Sequence, residues 1–211
     1  IQENISSKLA SKFGEDNYAI VKTDFIASQF SGKLAISSIV TVLLTLILIW
    51  IYATIRFKWD FALGAIIAII HDALIMLSFM AWTQMEFTST SIAAILTIIG
   101  YSINDTVVVL DRVRTNIKLI KTDKITTILD VSQSELIGRT LITTVTTLLA
   151  VLSLFIFTTG SMKDFAFALI IGLISGVYST IYISGAFIAC VRRNWKPSDE
   201  EKKNQVVNVA D

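Results

Sequence analysis

Long apolar runs alternate with short polar segments along most of this chain. Each run has about the 20 residues that an α-helix needs to cross roughly 30 Å of hydrocarbon. A β-strand would cross with about half that number and would alternate apolar and polar positions, which these runs do not. Because a backbone in lipid must satisfy its own hydrogen bonds, the pattern predicts an all-α membrane protein, a bundle of five transmembrane helices. The predicted spans are residues 36–55, 61–82, 87–110, 140–159 and 165–191.

The N-terminal segment, residues 1–33, is polar enough to lie outside the membrane. Apolar residues recur at helical spacing at Ile5, Leu9 and Phe13, and residues 18–25 have the pattern of a strand. One helix and one strand cannot bury a core. We therefore expect this segment to be a short α/β remnant, the end of an extracytoplasmic domain whose beginning precedes the chain.

The transmembrane domain is predicted to comprise residues 34–195, with one polar segment between its spans and another after its end. Residues 112–138 are mixed in charge and carry apolar positions such as Ile125 and Leu129 at helical spacing, which predicts an amphipathic helix along the cytoplasmic interface. Residues 196–211 are charged and are expected to form a cytoplasmic tail without a core of their own.

Basic residues predict the orientation of the bundle. Most of the 18 Lys and Arg residues fall between spans one and two, between spans three and four, or after span five. Such an excess marks the cytoplasmic side of a membrane. The N-terminus is therefore predicted to be extracytoplasmic and the C-terminus cytoplasmic.

Composition agrees with a membrane protein and narrows the chemistry. The chain is 54% hydrophobic, whereas a soluble domain has about 45–50% apolar residues. Its single cysteine excludes a disulfide within the chain and a cysteine-based metal site. The net charge of +1 argues against binding to nucleic acid, which favours a basic surplus.

Two neighbouring ionisable residues, His71 and Asp72, lie near the middle of the second span. A charged side chain there costs at least about 2.5–3.5 kcal/mol on insertion scales. One interpretation is a hydrogen-bonded pair that fixes helix packing. The other is a pair that handles protons, and the sequence leaves both open.

The third span contains the most polar stretch of any span, with Tyr101, Ser102, Asn104, Asp105 and Thr106. Tyr101 and Ser102 precede Asp105 by four and three residues, so all three can share one helix face. Removal from water favours the protonated form of a carboxyl group. Asp105 is therefore a candidate for taking up and releasing a proton, and the alternative is a structural, hydrogen-bonded carboxyl group.

Spans four and five each carry a stripe at helical spacing. Arg139, Thr143 and Thr147 form a polar stripe, in which Arg139 is either an interfacial residue or a counter-ion for a carboxylate inside the membrane. In span five a small residue stands at every fourth position, among them Gly172 and Gly176. This arrangement predicts a surface that another helix can approach closely.

The sequence of residues 100–114, GYSINDTVVVLDRVR, resembles the signature of SecF, a subunit of the bacterial SecDF protein-export complex. Two other stretches are similar to the family. One begins at Arg56-Phe57 and contains His71-Asp72, and the other begins at Arg139-Thr140-Leu141 and continues through Gly172 to Tyr178. The chain departs from the family only in loops. The family's Gly-Pro before the first predicted span, residues 36–55, is missing, and so is its Asn-Gln before Arg139.

The resemblance implies a six-span protein of the bacterial cytoplasmic (inner) membrane, similar to the RND transporter superfamily, whose first span would precede this chain. It implies SecD, the SecYEG channel, YajC, preproteins and membrane lipids as partners. It also implies that the complex uses the proton motive force to assist preprotein export. Carried over by motif, Asp105 would be the proton-responsive carboxyl group and Arg139 its basic partner.

Three rival functions are weighed against this one. An RND-type proton-coupled small-molecule exporter would share the architecture but would need about twelve spans. An intramembrane aspartyl protease would pair Asp72 with Asp105, yet neither lies in a Gly-x-Gly-Asp context and no nucleophile–base pair is evident. A scaffold would use the buried polar residues for packing only. No enzymatic activity, cofactor or metal site is predicted.

Overall fold

The computed structural model describes residues 2–14 and 28–197. The chain divides into two compact units, residues 1–36 and 37–211. In the first unit, α1 spans Gln2–Phe13. The predicted strand at residues 18–25 lies outside the described residues.

The described part of the chain contains five helices that are long and apolar enough to cross a membrane, so the prediction of an all-α five-span protein is confirmed. The last span consists of two α-helices joined by a π-helical turn. The elements are α2 (Ser28–Arg56), α3 (Trp59–Trp82), α4 (Ser89–Leu119), α5 (Ile125–Phe157), α6 (Ser161–Tyr178), the π-helical turn (Ser179–Ile183) and α7 (Ser184–Val191).

The structure differs from the sequence prediction for residues 112–138. Instead of a loop with a separate interfacial helix, α4 continues to Leu119 and α5 already begins at Ile125. The sequence has no Gly or Pro between residues 101 and 137 that would end either helix. The two extensions pack together through an apolar cluster that includes Val113 and Ile128.

Polar contacts hold the same two extensions together. Arg112 Nε donates to Glu135 Oε2 at 2.6 Å, and Asn116 Nδ2 donates to both Ser132 Oγ and Glu135 Oε2 at 2.9 Å. The residues predicted to lie on the membrane surface therefore pair with each other across a helical hairpin.

Helices α4 and α6 pack against each other, and each also packs against α3 and α5, so these two helices form the centre of the bundle. Helix α2 buries little of its surface, and most of its apolar side chains are exposed. Two apolar clusters fill the interior, one around Ile98 and Leu173 and the other around Leu110 and Ile188. On α4 and on the last span, a layer of buried polar residues lies between the two clusters: Ser102, Thr106, Ser175, Ser179, Thr180 and Ser184.

Candidate functional site

The carboxyl group of Asp72 lies at this polar layer and is fully buried, with 0% exposure. Three serine hydroxyls from two other spans donate to it, each at 2.7 Å. Ser102 of α4 and Ser179 of the π-helical turn donate to Oδ2, and Ser175 of α6 donates to Oδ1. His71 Nδ1 lies 3.3 Å from Oδ1. Asp72 therefore joins three spans through side-chain hydrogen bonds.

The π-helical turn lies beside this carboxyl group. Its second residue, Thr180, shares a hydrogen bond of 3.0 Å with Thr106 of α4, and both side chains are fully buried. Gln133 Nε2 of α5 donates to the backbone oxygen of Ile181 at 2.7 Å. A π-turn leaves a carbonyl group outside the regular helical pattern, and here a side chain from a neighbouring helix supplies its partner.

Asp105 occupies a separate place, between α4 and α5. Its Oδ1 atom accepts a hydrogen bond of 3.1 Å from Thr140 Oγ1, and its side chain is partly buried. Arg139, the residue before Thr140, is exposed, and it does not pair with Asp105 within 4 Å in the described part of the chain. The structure thus brings Asp105 to the start of the predicted span four, but its direct partner is the threonine.

The remaining predicted polar residues fall into different surroundings. Tyr101 shares a hydrogen bond of 3.3 Å with Thr147 of α5. Thr143 donates to backbone oxygens of its own helix, and Asn104 is exposed on α4, where it lines a cavity of about 390 Å³ against α2. Thr143 and Asn104 therefore make no hydrogen bond to the Asp72 or Asp105 carboxyl group in this structure.

The two glycines predicted for helix packing face α4. A Cβ atom on Gly172 would overlap the side chain of Ile98. A Cβ atom on Gly176 would lie 3.8 Å from Ser102 Cβ and 3.9 Å from Asp72 Oδ2. Gly176 therefore stands where the last span approaches the buried carboxyl group.

Sequence reasoning identified Ser102 but missed Ser175, Ser179 and Thr140, the other three hydroxyl partners of the two carboxyl groups. Ser175 and Ser179 are four residues apart in an apolar span, and this spacing would have identified them as a second stripe beside the glycines.

Sequence reasoning also missed a buried ion pair at the end of the bundle. Arg192 pairs with Asp60 at the start of α3, and its guanidinium group lies 4.5 Å from the ring centre of Phe61. Asp60 and Arg192 are both buried, so the pair joins the first turn of α3 to the end of the last span, away from the polar layer.

No group of three or more His, Cys, Asp or Glu side chains that could hold a metal ion occurs in the described residues. The fold and the polar layer define a multi-pass membrane protein with carboxyl groups inside its helix bundle.

The sequence also matches the family described as "Protein export membrane protein SecD/SecF, C-terminal", over residues 5–194. The chain belongs to this SecD/SecF family, and its resemblance to SecF is confirmed by its relatives.

Two of those relatives are protein translocase subunits SecF. The chain is 52% identical over 193 residues to that of Treponema pallidum, covering 92% of this chain and 46% of the relative. It is 42% identical over 188 residues to that of Borreliella burgdorferi, covering 89% of this chain and 62% of the relative. The chain therefore spans about half to three fifths of the length of these relatives.

A solved structure agrees with the fold. The crystal structure of SecDF, a translocon-associated membrane protein from Thermus thermophilus, superposes with a TM-score of 0.80 at 32% identity. The alignment covers 91% of this chain and 26% of that one.

Proposed function

We propose that this chain is the membrane part of a SecF subunit that works with SecD to assist preprotein export through the SecYEG channel. Three observations support the proposal: the family membership, the SecF relatives, and the similarity to a protein described as SecDF and translocon-associated. The proposal includes the bacterial cytoplasmic membrane as location, with the N-terminus of the chain outside and its C-terminus in the cytoplasm, and YajC as a further partner.

The proposed function uses the proton motive force through Asp105. The single observation that carries this step is the Thr140–Asp105 hydrogen bond, which ties a carboxyl group inside α4 to the residue that follows Arg139 on α5. An ionised Asp105 attracts the guanidinium group of Arg139, and protonation removes that attraction.

The ion pair between Asp105 and Arg139 is open in this structure. The proposed cycle therefore contains a second arrangement of α4 and α5 in which Arg139 approaches the carboxylate. Alternation between two packings of the same helices is a common way to pass a local charge change to a distant domain.

The test measures preprotein export into membrane vesicles that contain the complete complex, with and without a proton gradient. Asp105→Asn is expected to abolish the stimulation by the gradient while leaving assembly with SecD intact. Asp111→Asn is the matched control, because Asp111 is on the same helix but its side chain is 46% exposed and pairs with Arg56 at 2.7 Å. Gradient-stimulated export by Asp105→Asn at the wild-type rate would refute the proton role.

A further inference from the structure

Asp72 is a buried carboxyl group to which the proposed function gives no task. Within the described residues its partners are three serine hydroxyls and His71, and none of its ion pairs is with Lys or Arg. The last span carries no Asp, Glu, Lys or Arg between residues 165 and 191 that could supply a charge. A carboxylate buried in this way is costly unless a cation compensates it.

The three serine hydroxyl groups around Asp72 can bond to it in either protonation state, because a hydroxyl group both donates and accepts hydrogen bonds. When Asp72 is ionised, Ser102, Ser175 and Ser179 all donate to it, as the short distances indicate. Arginine or lysine side chains in these places could not switch from donating to accepting a hydrogen bond, since they have no acceptor atom.

Ser179 has a second acceptor that makes the neutral state possible. Its Oγ atom lies 3.2 Å from the backbone oxygen of Gly176. When Asp72 carries a proton on Oδ2, that O–H group donates to Ser179 Oγ, and the Ser179 hydrogen turns to the Gly176 carbonyl. Ser102 and Ser175 keep their places, so no buried polar atom loses its partner.

His71 gives the buried carboxyl group a route to the surface. Its side chain is 29% exposed, while that of Asp72 is fully buried. The Nδ1–H bond of an imidazolium can break as an O–H bond forms on Asp72 Oδ1, which leaves a neutral imidazole whose Nδ1 atom can accept another proton. Rotation of the carboxyl group by a half-turn about its Cβ–Cγ bond then brings the protonated oxygen to the position that faces Ser179.

Few other titratable groups lie on the apolar parts of the neighbouring spans. Residues 89–110 of α4 contain Tyr101 and Asp105, and residues 165–191 of the last span contain Tyr178, Tyr182 and Cys190. The ring centre of Tyr178 lies 6.0 Å from that of His71 and 5.1 Å from that of Tyr182. Asp105 has its own hydroxyl partner on α5. The hydrogen bonds of Asp72 and those of Asp105 therefore have no member in common.

We propose that Asp72 is a second proton-binding site of the membrane domain, independent of Asp105, and that the start of the π-helical turn at Ser179 responds to its protonation. Ser179 is the first residue of that turn, so the hydrogen bond that changes lies where the last span departs from regular helical geometry. π-turns of this kind are frequent at functional sites. The proposal does not depend on the export function or on Asp105.

The test is acid-minus-alkaline infrared difference spectroscopy of the lipid-reconstituted complex. A band of a protonated carboxyl group is expected to appear on acidification, to be lost in Asp72→Asn and to remain in Asp105→Asn. Ser179→Ala keeps the carboxyl group but removes its acceptor, so the band is expected to move to higher wavenumber. Ser184→Ala is the matched control, because Ser184 is buried in the same span and donates only to Thr180.

Two results would overturn the proposal. One is an Asp72→Asn spectrum that keeps every titrating carboxyl band of the wild type, which removes Asp72 as a proton site. The other is a band that Ser179→Ala leaves in place, which removes Ser179 as its acceptor. If Asp72→Asn does not assemble, the band position in Ser179→Ala decides the outcome alone.

Discussion

Gly172 of α6 lies directly against the side chain of Ile98 on α4, with no room for a Cβ atom between them. The contact lies in the apolar cluster that also contains Leu173 and Ile69, next to the polar layer. Because protein interiors are close-packed, even one added methyl group at this point must displace a neighbour. The glycine therefore sets how closely the last span approaches α4.

Gly172→Ala is expected to lower the free energy of unfolding by about 1–3 kcal/mol, the usual cost of overpacking. Gly100→Ala is the matched control, because Gly100 lies on α4 with nothing within 4 Å of its added Cβ atom. It should be neutral or slightly stabilising, since alanine favours helix over glycine. Thermal unfolding in detergent measures both, and Gly172→Ala should cost less in an Ile98→Ala background, because the side-chain atoms that the new methyl group overlaps are then absent. Equal losses in the two glycine variants would contradict the close-packing argument.

Removing Arg192 from its buried ion pair with Asp60 should destabilise the protein far more than removing Arg56 from its exposed pair with Asp111. Removing one member of a buried pair leaves an uncompensated charge, at a cost of about 3–5 kcal/mol. The side chains of Arg56 and Asp111 are 44% and 46% exposed, and such pairs contribute about 0–1 kcal/mol.

The measurement compares unfolding of Arg192→Met with that of Arg56→Met. The double variant Asp60→Asn with Arg192→Met should be more stable than Arg192→Met alone, because it removes the orphaned charge as well. If Arg192→Met and Arg56→Met unfold alike, the buried pair does not hold α3 to the end of the last span.

The five spans could be predicted because length and hydrophobicity alone decide whether a helix can cross a membrane. The helix ends could not. The apolar sequence pattern ends where a span leaves the hydrocarbon. Helices α4 and α5 continue beyond that point as a paired hairpin, whose stability depends on contacts such as Arg112–Glu135. Those contacts join residues 16 to 23 positions apart, so no local pattern reveals them.

The candidate site was predictable to a similar extent. Asp72 and Asp105 were conspicuous because a carboxyl group is costly in lipid. Their serine and threonine partners were not, since hydroxyl side chains are ordinary in membrane helices and usually bond to their own backbone.

The proposed orientation can be tested with single cysteines introduced after Cys190→Ser. Lys163→Cys lies in the first turn of α6, and Lys121→Cys lies in the connection between α4 and α5. An impermeant thiol reagent added to intact cells is expected to label Lys163→Cys and to reach Lys121→Cys only after lysis, because the basic connections belong to the cytoplasmic side. The opposite labelling pattern would invert the proposed topology and contradict the assigned sides of both termini.

The hydroxyl group of Thr140 should matter for export because it is the direct partner of Asp105. Thr140→Val is expected to lower gradient-stimulated export by about tenfold, since a hydrogen bond to a charged group contributes about 1.5–3 kcal/mol. Thr140→Ser keeps the hydroxyl and should retain export. Thr146→Val is the matched control, because Thr146 is exposed on the same helix and donates only to backbone oxygens of α5. Wild-type stimulation in Thr140→Val, measured in the same vesicles as Asp105→Asn, would mean that the contact between α4 and α5 positions the helices without taking part in the proton step.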